Sequence, residues 1–259
     1  MKPLDLITWL RSQCDAYQFD VKALYRSRPE ETRPLLTSSG AELDSMLDER
    51  GHFLPLPKEP AALANIVEVS VCDYLVQCAE TVVGLTVERG TERGYPDLEF
   101  GGPALDGAFH AVDIKVARRK PTKSGRASTQ TQSRITLYTG NTYFRYPKLQ
   151  WPGTFRPFDD YGLHLDLLCI YDLSDSNARV ADLETIVQEA WRIGSRQRSS
   201  TTREYIGAVQ RLDDLRAGNG EFPSAEAFYA FWRRYNFRVG KVVQQQLDKI
   251  IREAGGGES

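Results

Sequence analysis

Apolar positions recur at helical spacing over residues 3–25, where Leu4, Ile7, Trp9, Leu10, Cys14 and Tyr17 fall near one face and predict an amphipathic helix. Residues 26–50 are polar and contain prolines, with a short helical pattern around AELDSMLDER, and GHFLPLPKEP at 51–60 reads as extended. Pro60 then opens a long helix, AALANIVEVSVCDYLVQCAETV, with Leu63, Val67, Val71, Tyr74, Leu75, Cys78 and Val82 in one stripe. Glu68 lies at the margin of that stripe, where a glutamate is either solvated or leans into a site beside the core.

Beyond residue 82 the period changes from helical to alternating. VGLTVERG and YPDLEF are short strand patterns, 101–107 is rich in turn residues, and AFHAVDIKVA predicts a third strand. Side chains alternate along a strand, so Asp113 and Lys115 share one face while Val112, Ile114 and Val116 share the other. LHLDLLCIYDL at 163–173 is apolar enough for a central strand. Residues 181–193 predict a helix, and GSRQRSSTTR at 194–203 a polar loop. A helix capped by Ser224 follows, SAEAFYAFWRRYNF, then another at 238–253, and residues 254–259 read as a disordered tail. The sum is an α/β chain with a mixed central β-sheet flanked by helices, and 259 residues suit one domain.

Charge changes this picture. The net charge is only −2, yet between Asp113 and Asp159 there is no acid, while Lys115, Arg118, Arg119, Lys120, Lys123, Arg126, Arg134, Arg145, Lys148 and Arg156 supply ten positive charges. A basic block in an otherwise acidic chain points to a polyanion partner; the plain alternative is a solvated loop. Four cysteines without a CxxC pair and only three histidines argue against a zinc cluster. The apolar runs are short and no signal-peptide core is visible, so a cytoplasmic protein with reduced thiols and no membrane partner is expected.

Two carboxylates converging from neighbouring strands suit a hard divalent cation, which takes one or two carboxylates and keeps waters and phosphate oxygens as its other ligands. Asp97 and Asp113 can supply them, with the carbonyl of Ile114 as a third ligand, so Mg²⁺ is the expected cofactor. Lys115 would face the attacking water and the scissile phosphate. Pro-Asp is also ordinary turn chemistry, and a lysine on a strand can simply face solvent.

These residues resemble the PD-(D/E)xK nucleases, and among them the EcoRV-type type II restriction endonucleases. GYPDLEF is similar to that family's Tyr-Pro-Asp-Phe strand, and the sixteen-residue spacing from Asp97 to Asp113 matches. NIVEVS resembles its Thr-Ile-Phe-Glu-Leu-Phe helix, with Glu68 twenty-nine residues before Asp97. RPFDDYGLHLDLLCIYD resembles its Tyr-Pro-Phe-Asp-Gln-Tyr strand, and GNGEFPSAEAFYAFWRRY its C-terminal helix; FDV and GHFLPLP also fit. Residues 26–50 depart as an insertion, and Val116 and Ala117 stand where the family has two threonines.

The resemblance implies a restriction-endonuclease-like fold and a homodimer that straddles duplex DNA and cuts a palindrome with Mg²⁺, giving 5′-phosphate and 3′-hydroxyl ends and a blunt cut. A cognate DNA methyltransferase would protect the host. Asp97 and Asp113 would bind metal, Lys115 would activate water, and Glu68 would be an accessory catalytic or metal ligand. Residues 15–60 would hold the dimer contact and 61–253 the catalytic and DNA-binding core. The base-reading loop would fall near Ser199, Thr201, Thr202 and Arg203, with Arg196 and Arg198 beside it; these arginines either pair with guanine or touch only phosphates. Arg93, in the 91–94 loop, would enter the minor groove, and Arg118, Arg119 and Lys120 would meet the backbone. Two other readings stay open: a structure-selective repair or junction-resolving nuclease, and a DNA-binding protein that has lost catalysis.

Overall fold

Strand pairing organises the chain around a five-stranded mixed sheet. The computed structural model describes residues 3–21, 23–25, 45, 53–91, 94–122, 128–174 and 179–255. Apart from Ser45, the 26–50 insertion therefore lies outside the described residues, as do Arg93 and residues 256–259 of the tail.

Helix α1 (Leu6–Ala16) begins where the Asp5 carboxylate accepts from the Thr8 N–H at 3.2 Å and from its hydroxyl at 2.7 Å. It ends before the expected residue 25, because Tyr17 turns extended and β1 (Ala23–Tyr25) pairs antiparallel with β2 (Phe53–Pro55). Helix α2 (Pro60–Glu80) starts on its proline, with the Glu59 carboxylate accepting from the Ala62 N–H. By length and composition α2 could cross a membrane, contrary to the expectation that no segment is apolar enough. Here its stripe of Leu63, Val67, Val71, Leu75 and Ala79 is buried as a core face.

The central sheet runs β3 (Thr86–Arg89), β4 (Leu98–Gly101), β5 (His110–Arg118), β7 (Leu163–Leu173), β8 (Val180–Glu189). Only β5 and β7 are parallel. β7 is buried on both faces through most of its length, as its apolar run requires. A second, antiparallel sheet has the order β6 (Thr136–Thr139), β10 (Tyr205–Ala208), β9 (Gly194–Arg198). Helices α3 (Leu212–Ala217), α4 (Ala225–Arg234) and α5 (Lys241–Gly255) complete the chain. The Ser224 hydroxyl caps α4 as expected, accepting from the Ala227 N–H.

Two expectations fail around β8 and β9. Residues 181–193 form a strand and a 3₁₀ turn, Ala190–Ile193, rather than a helix. Ile186 and Val187 point into opposite cores, so the segment has the two-sided burial of a strand, and pairing with β7 overrides its helical propensity. The expected polar loop at 194–203 begins as β9.

The two faces of the central sheet carry separate cores. Val112, Ile114, Leu165 and Leu167 pack with α1 and α2. Ala111, Leu168 and Ile170 pack with the second sheet and with Phe228 and Trp232 of α4. Asp113 and Lys115 belong to this second face by alternation.

Candidate active site

Antiparallel pairing of β4 with β5 stops at Leu98↔Val112. Asp97 precedes β4, and its Oδ2 accepts from the backbone N–H of Ile114 at 2.6 Å. A carboxylate thus replaces a strand as the partner of β5, which brings Asp97 to Asp113. On β5 the Lys115 ammonium lies 2.5 Å from Asp113 Oδ2. The lysine side chain as a whole keeps 24% exposure. Asp97, Asp113 and Lys115 therefore meet as the sequence pattern requires.

Electrostatics confirm the crowding. Burial pushes the Asp113 pKa well up, Lys115 opposes the shift, and Asp97 and Asp166 add to it. Burial works against the charge of Lys115, but Asp113, Asp97 and Asp166 outweigh it and hold the ammonium above its ordinary range. Glu68, half-buried on α2, is raised first by burial and then by Asp97, and lowered by Lys115 and Arg89. Its carboxylate therefore acts electrostatically on Asp97 and Lys115.

Asp166 is the site residue that sequence reasoning missed. It lies on β7 in register with Asp113, fully buried, with both carboxyl oxygens lacking a hydrogen-bond partner. The available signal was an acid in the middle of the apolar run LHLDLLCIYDL. Around it stands an aromatic group. The Tyr95 hydroxyl and His164 Nδ1 are 2.7 Å apart, and the His164 ring stacks on Phe158 at 3.9 Å between centroids. Tyr138 of β6 lies edge-on to Tyr95, which ties the second sheet to the catalytic face.

Burial pushes the His164 pKa down from 6.5 to about 3. Between those values the unfolded chain binds the extra proton, so the stability linked to neutral His164 is complete above pH 6.5 and lost as pH falls toward 3. Asp113 and Asp166, raised in the fold, act with the opposite sign. His164→Gln is therefore expected to remove about one proton from the acid-side slope relative to wild type. Urea unfolding at several pH values checks this; equal slopes would mean that His164 is protonated in the fold.

The segment expected to read bases forms the turn between β9 and β10. Ser200 Oγ accepts from the backbone N–H groups of Thr202 and Arg203, closing the turn, and Ser199 shares a 2.7 Å hydroxyl contact with Thr136. Arg198 pairs with Glu204 at 2.8 Å. The Arg196 guanidinium lies over the Phe222 and Phe231 rings. Thr201, Thr202 and Arg203 are exposed at the tip, with Arg203 over the Tyr205 ring. The basic block divides. Arg119 departs from the expected phosphate contact, because its side chain is 9% exposed and bonds Glu184 and the Asp182 carbonyl. Arg134 donates to the Ala208 carbonyl, Arg145 to the Phe237 carbonyl, and Arg156 doubly to Glu99. Arg118 is half-buried and Lys120 exposed.

A family model described as Restriction endonuclease EcoRV matches residues 37–252, most of the chain and all of the site just described. The chain belongs to the EcoRV restriction endonuclease family. Its mixed sheet with flanking helices is the restriction-endonuclease-like arrangement of that family. A search among curated proteins finds no match. Family membership implies DNA as the substrate, and the fit of a metal rests on the donors. Asp97 and Asp113 oppose one another with the Ile114 backbone between them, and acids outnumber the one lysine. That excess of negative charge suits a divalent cation held by two carboxylates.

Proposed function

We propose that the chain is a Mg²⁺-dependent type II restriction endonuclease, acting as a cytoplasmic homodimer that hydrolyses one phosphodiester bond in each strand of a palindromic duplex sequence. The carrying observation is the meeting of Asp97, Asp113 and Lys115 at the end of the β4–β5 pairing in an EcoRV-family domain. Asp97, Asp113 and the Ile114 carbonyl would hold Mg²⁺, with Glu68 as the accessory ligand. Bound there, the ion supplies Lewis-acid polarisation of a phosphate oxygen and a lowered pKa for water.

The chain's own groups do the rest. Lys115 is paired with Asp113 and close to further carboxylates, so we assign it the role of a cation that places and neutralises phosphate charge. The carboxylates repel the phosphate backbone until the cation is bound, which makes productive DNA approach dependent on it. The expected products carry 5′-phosphates and 3′-hydroxyls at blunt ends. Residues 15–60 are the proposed dimer contact, Arg93 the minor-groove contact, and Arg118 and Lys120 backbone contacts. A methyltransferase of the same specificity is the expected biological companion.

Incubation of unmethylated phage DNA with Mg²⁺, followed by sequencing of the ends, tests the reading. Fixed termini support it, scattered termini favour a structure-selective nuclease, and intact DNA favours a protein that only binds. The β9–β10 turn, with exposed polar tip residues on a braced hairpin, favours sequence reading.

Within that turn we place the reading on Arg203, which is exposed at the tip, whereas Arg198 is ion-paired with Glu204 and Arg196 lies on β9 over two rings. Arg203→Ala is expected to weaken binding by about 1–3 kcal/mol and relax preference at one guanine. Binding measured against a panel of substituted sites checks it. A uniform loss across all sites, with a shallower salt dependence, would assign Arg203 to phosphate instead.

A further inference from the structure

Besides Asp113, two buried acids lie on the same face of the central sheet, Glu99 and Asp166, and their surroundings differ. Glu99 accepts from Arg156 through two bonds of 2.7 Å and from the Tyr161 hydroxyl at 2.8 Å. Asp166 is fully buried and its oxygens have no hydrogen-bond partner; among the described residues it is the only acid in that condition. A buried polar group without a partner is costly, and a buried carboxylate more so. Asp166 therefore calls for a partner that the resting arrangement gives to something else.

The register identifies that partner. Asp113 and Asp166 are opposite one another on adjacent parallel strands, about 4.8 Å apart across the ladder. Lys115 is two residues past Asp113 on the same face, and its charge acts on Asp113, Asp97 and Asp166 alike. At rest its ammonium pairs with Asp113. Under the nuclease reading, on which this inference rests, Asp113 is also the residue that must give its oxygens to the cation. A cation on Asp113 neutralises much of its charge and so weakens its hold on the ammonium.

We propose that Asp166 is a positioning residue for Lys115, the carboxylate to which the ammonium transfers its ion pair when Asp113 is engaged by the cation. The transfer keeps the lysine beside the scissile phosphate at the moment its first anchor is withdrawn. A third metal ligand is the competing role. Asp166, however, is fully buried on β7, on the side of β5 away from the strand that Asp97 precedes, which sets it behind the proposed metal position.

The full chain carrying Asp166→Asn tests this by two routes. In single-turnover cleavage at saturating Mg²⁺, the variant is expected to be about 10–100-fold slower, with half-saturating Mg²⁺ unchanged and Ca²⁺-supported DNA binding retained. Asp166→Glu, which keeps the charge, is expected to recover most of the rate. In ¹⁵N-lysine spectra of the Ca²⁺-loaded protein, the Lys115 ammonium resonance, assigned by Lys115→Arg, is expected to be protected in wild type and lost in Asp166→Asn. Wild-type rate with an unmoved resonance overturns the inference. So does a raised Mg²⁺ requirement that excess metal overcomes, which would make Asp166 a ligand. Unfolding of both Asp166→Asn and Asp166→Leu would assign it a purely structural role and also overturn it. If wild type failed to cleave DNA while its Lys115 resonance still depended on Asp166, the nuclease reading would fall and the lysine pairing would stand.

Discussion

Asp97→Ala is expected to lower the DNA cleavage rate by about 10³-fold or more while leaving the protein folded and able to bind DNA. The size follows from position: Asp97 reaches Asp113 from the β4 side, and without it the proposed metal site loses one of its two principal carboxylates. The structural cost is small. Asp97 is half-buried and accepts one bond from the Ile114 N–H, whose loss costs about 1–2 kcal/mol, and its removal also relieves repulsion on Asp113. Single-turnover kinetics beside a thermal melt separates the two effects. Cleavage within tenfold of wild type would remove Asp97 from the metal site.

The largest effect on stability is expected at Trp232. Its ring is fully buried, stacked on Phe237 at 5.8 Å between centroids and edge-on to Phe231. Large-to-small changes at such positions cost about 3–5 kcal/mol. The Trp232 indole N–H has no hydrogen-bond partner, so its removal recovers part of the loss and places Trp232→Ala near the lower end. Trp232→Phe, which keeps a ring and drops the N–H, is expected to lie within about 1.5 kcal/mol of wild type. Urea denaturation of both variants checks the pair. The same core braces the base of the β9–β10 hairpin, the proposed reading element, since a Cβ on Gly194 would fall 2.6 Å from the Phe228 ring. Trp232→Ala should therefore blur sequence preference as well as lower stability.

The sequence disclosed the parts of the fold whose pattern is local. The α2 stripe, the β5 alternation and the Ser224 cap are each written within one element. The meeting of Asp97 with Asp113 was legible because a short connection with abundant turn residues forces neighbouring strands together. What escaped depended on distant pairing. Strand β8 carries good helix formers and becomes a strand only because β7 offers its edge. The β6–β10–β9 sheet joins segments some seventy residues apart. Asp166 escaped for a related reason: its distance from Asp113 in sequence hides their side-by-side register. Charge was the least faithful signal. Arg119, Arg134, Arg145 and Arg156 all stand in the basic block, yet each spends its guanidinium on an internal acceptor.

Close backbone approaches fix the loop that delivers Asp97. The Gly90 N–H donates to the Asp97 carbonyl at 2.8 Å, and a Cβ on Gly90 would fall 2.1 Å from the Pro96 carbonyl oxygen. A Cβ on Gly94 would fall 2.0 Å from the Gly153 carbonyl oxygen. The hairpin bearing Arg203, by contrast, belongs to the smaller sheet and ends in an exposed tip. Under the proposed roles, descendants of this chain acquire new targets by drift in residues 200–203 while inheriting the hydrolytic centre intact, and a laboratory library seeking altered targets should randomise that tip and leave both glycines alone.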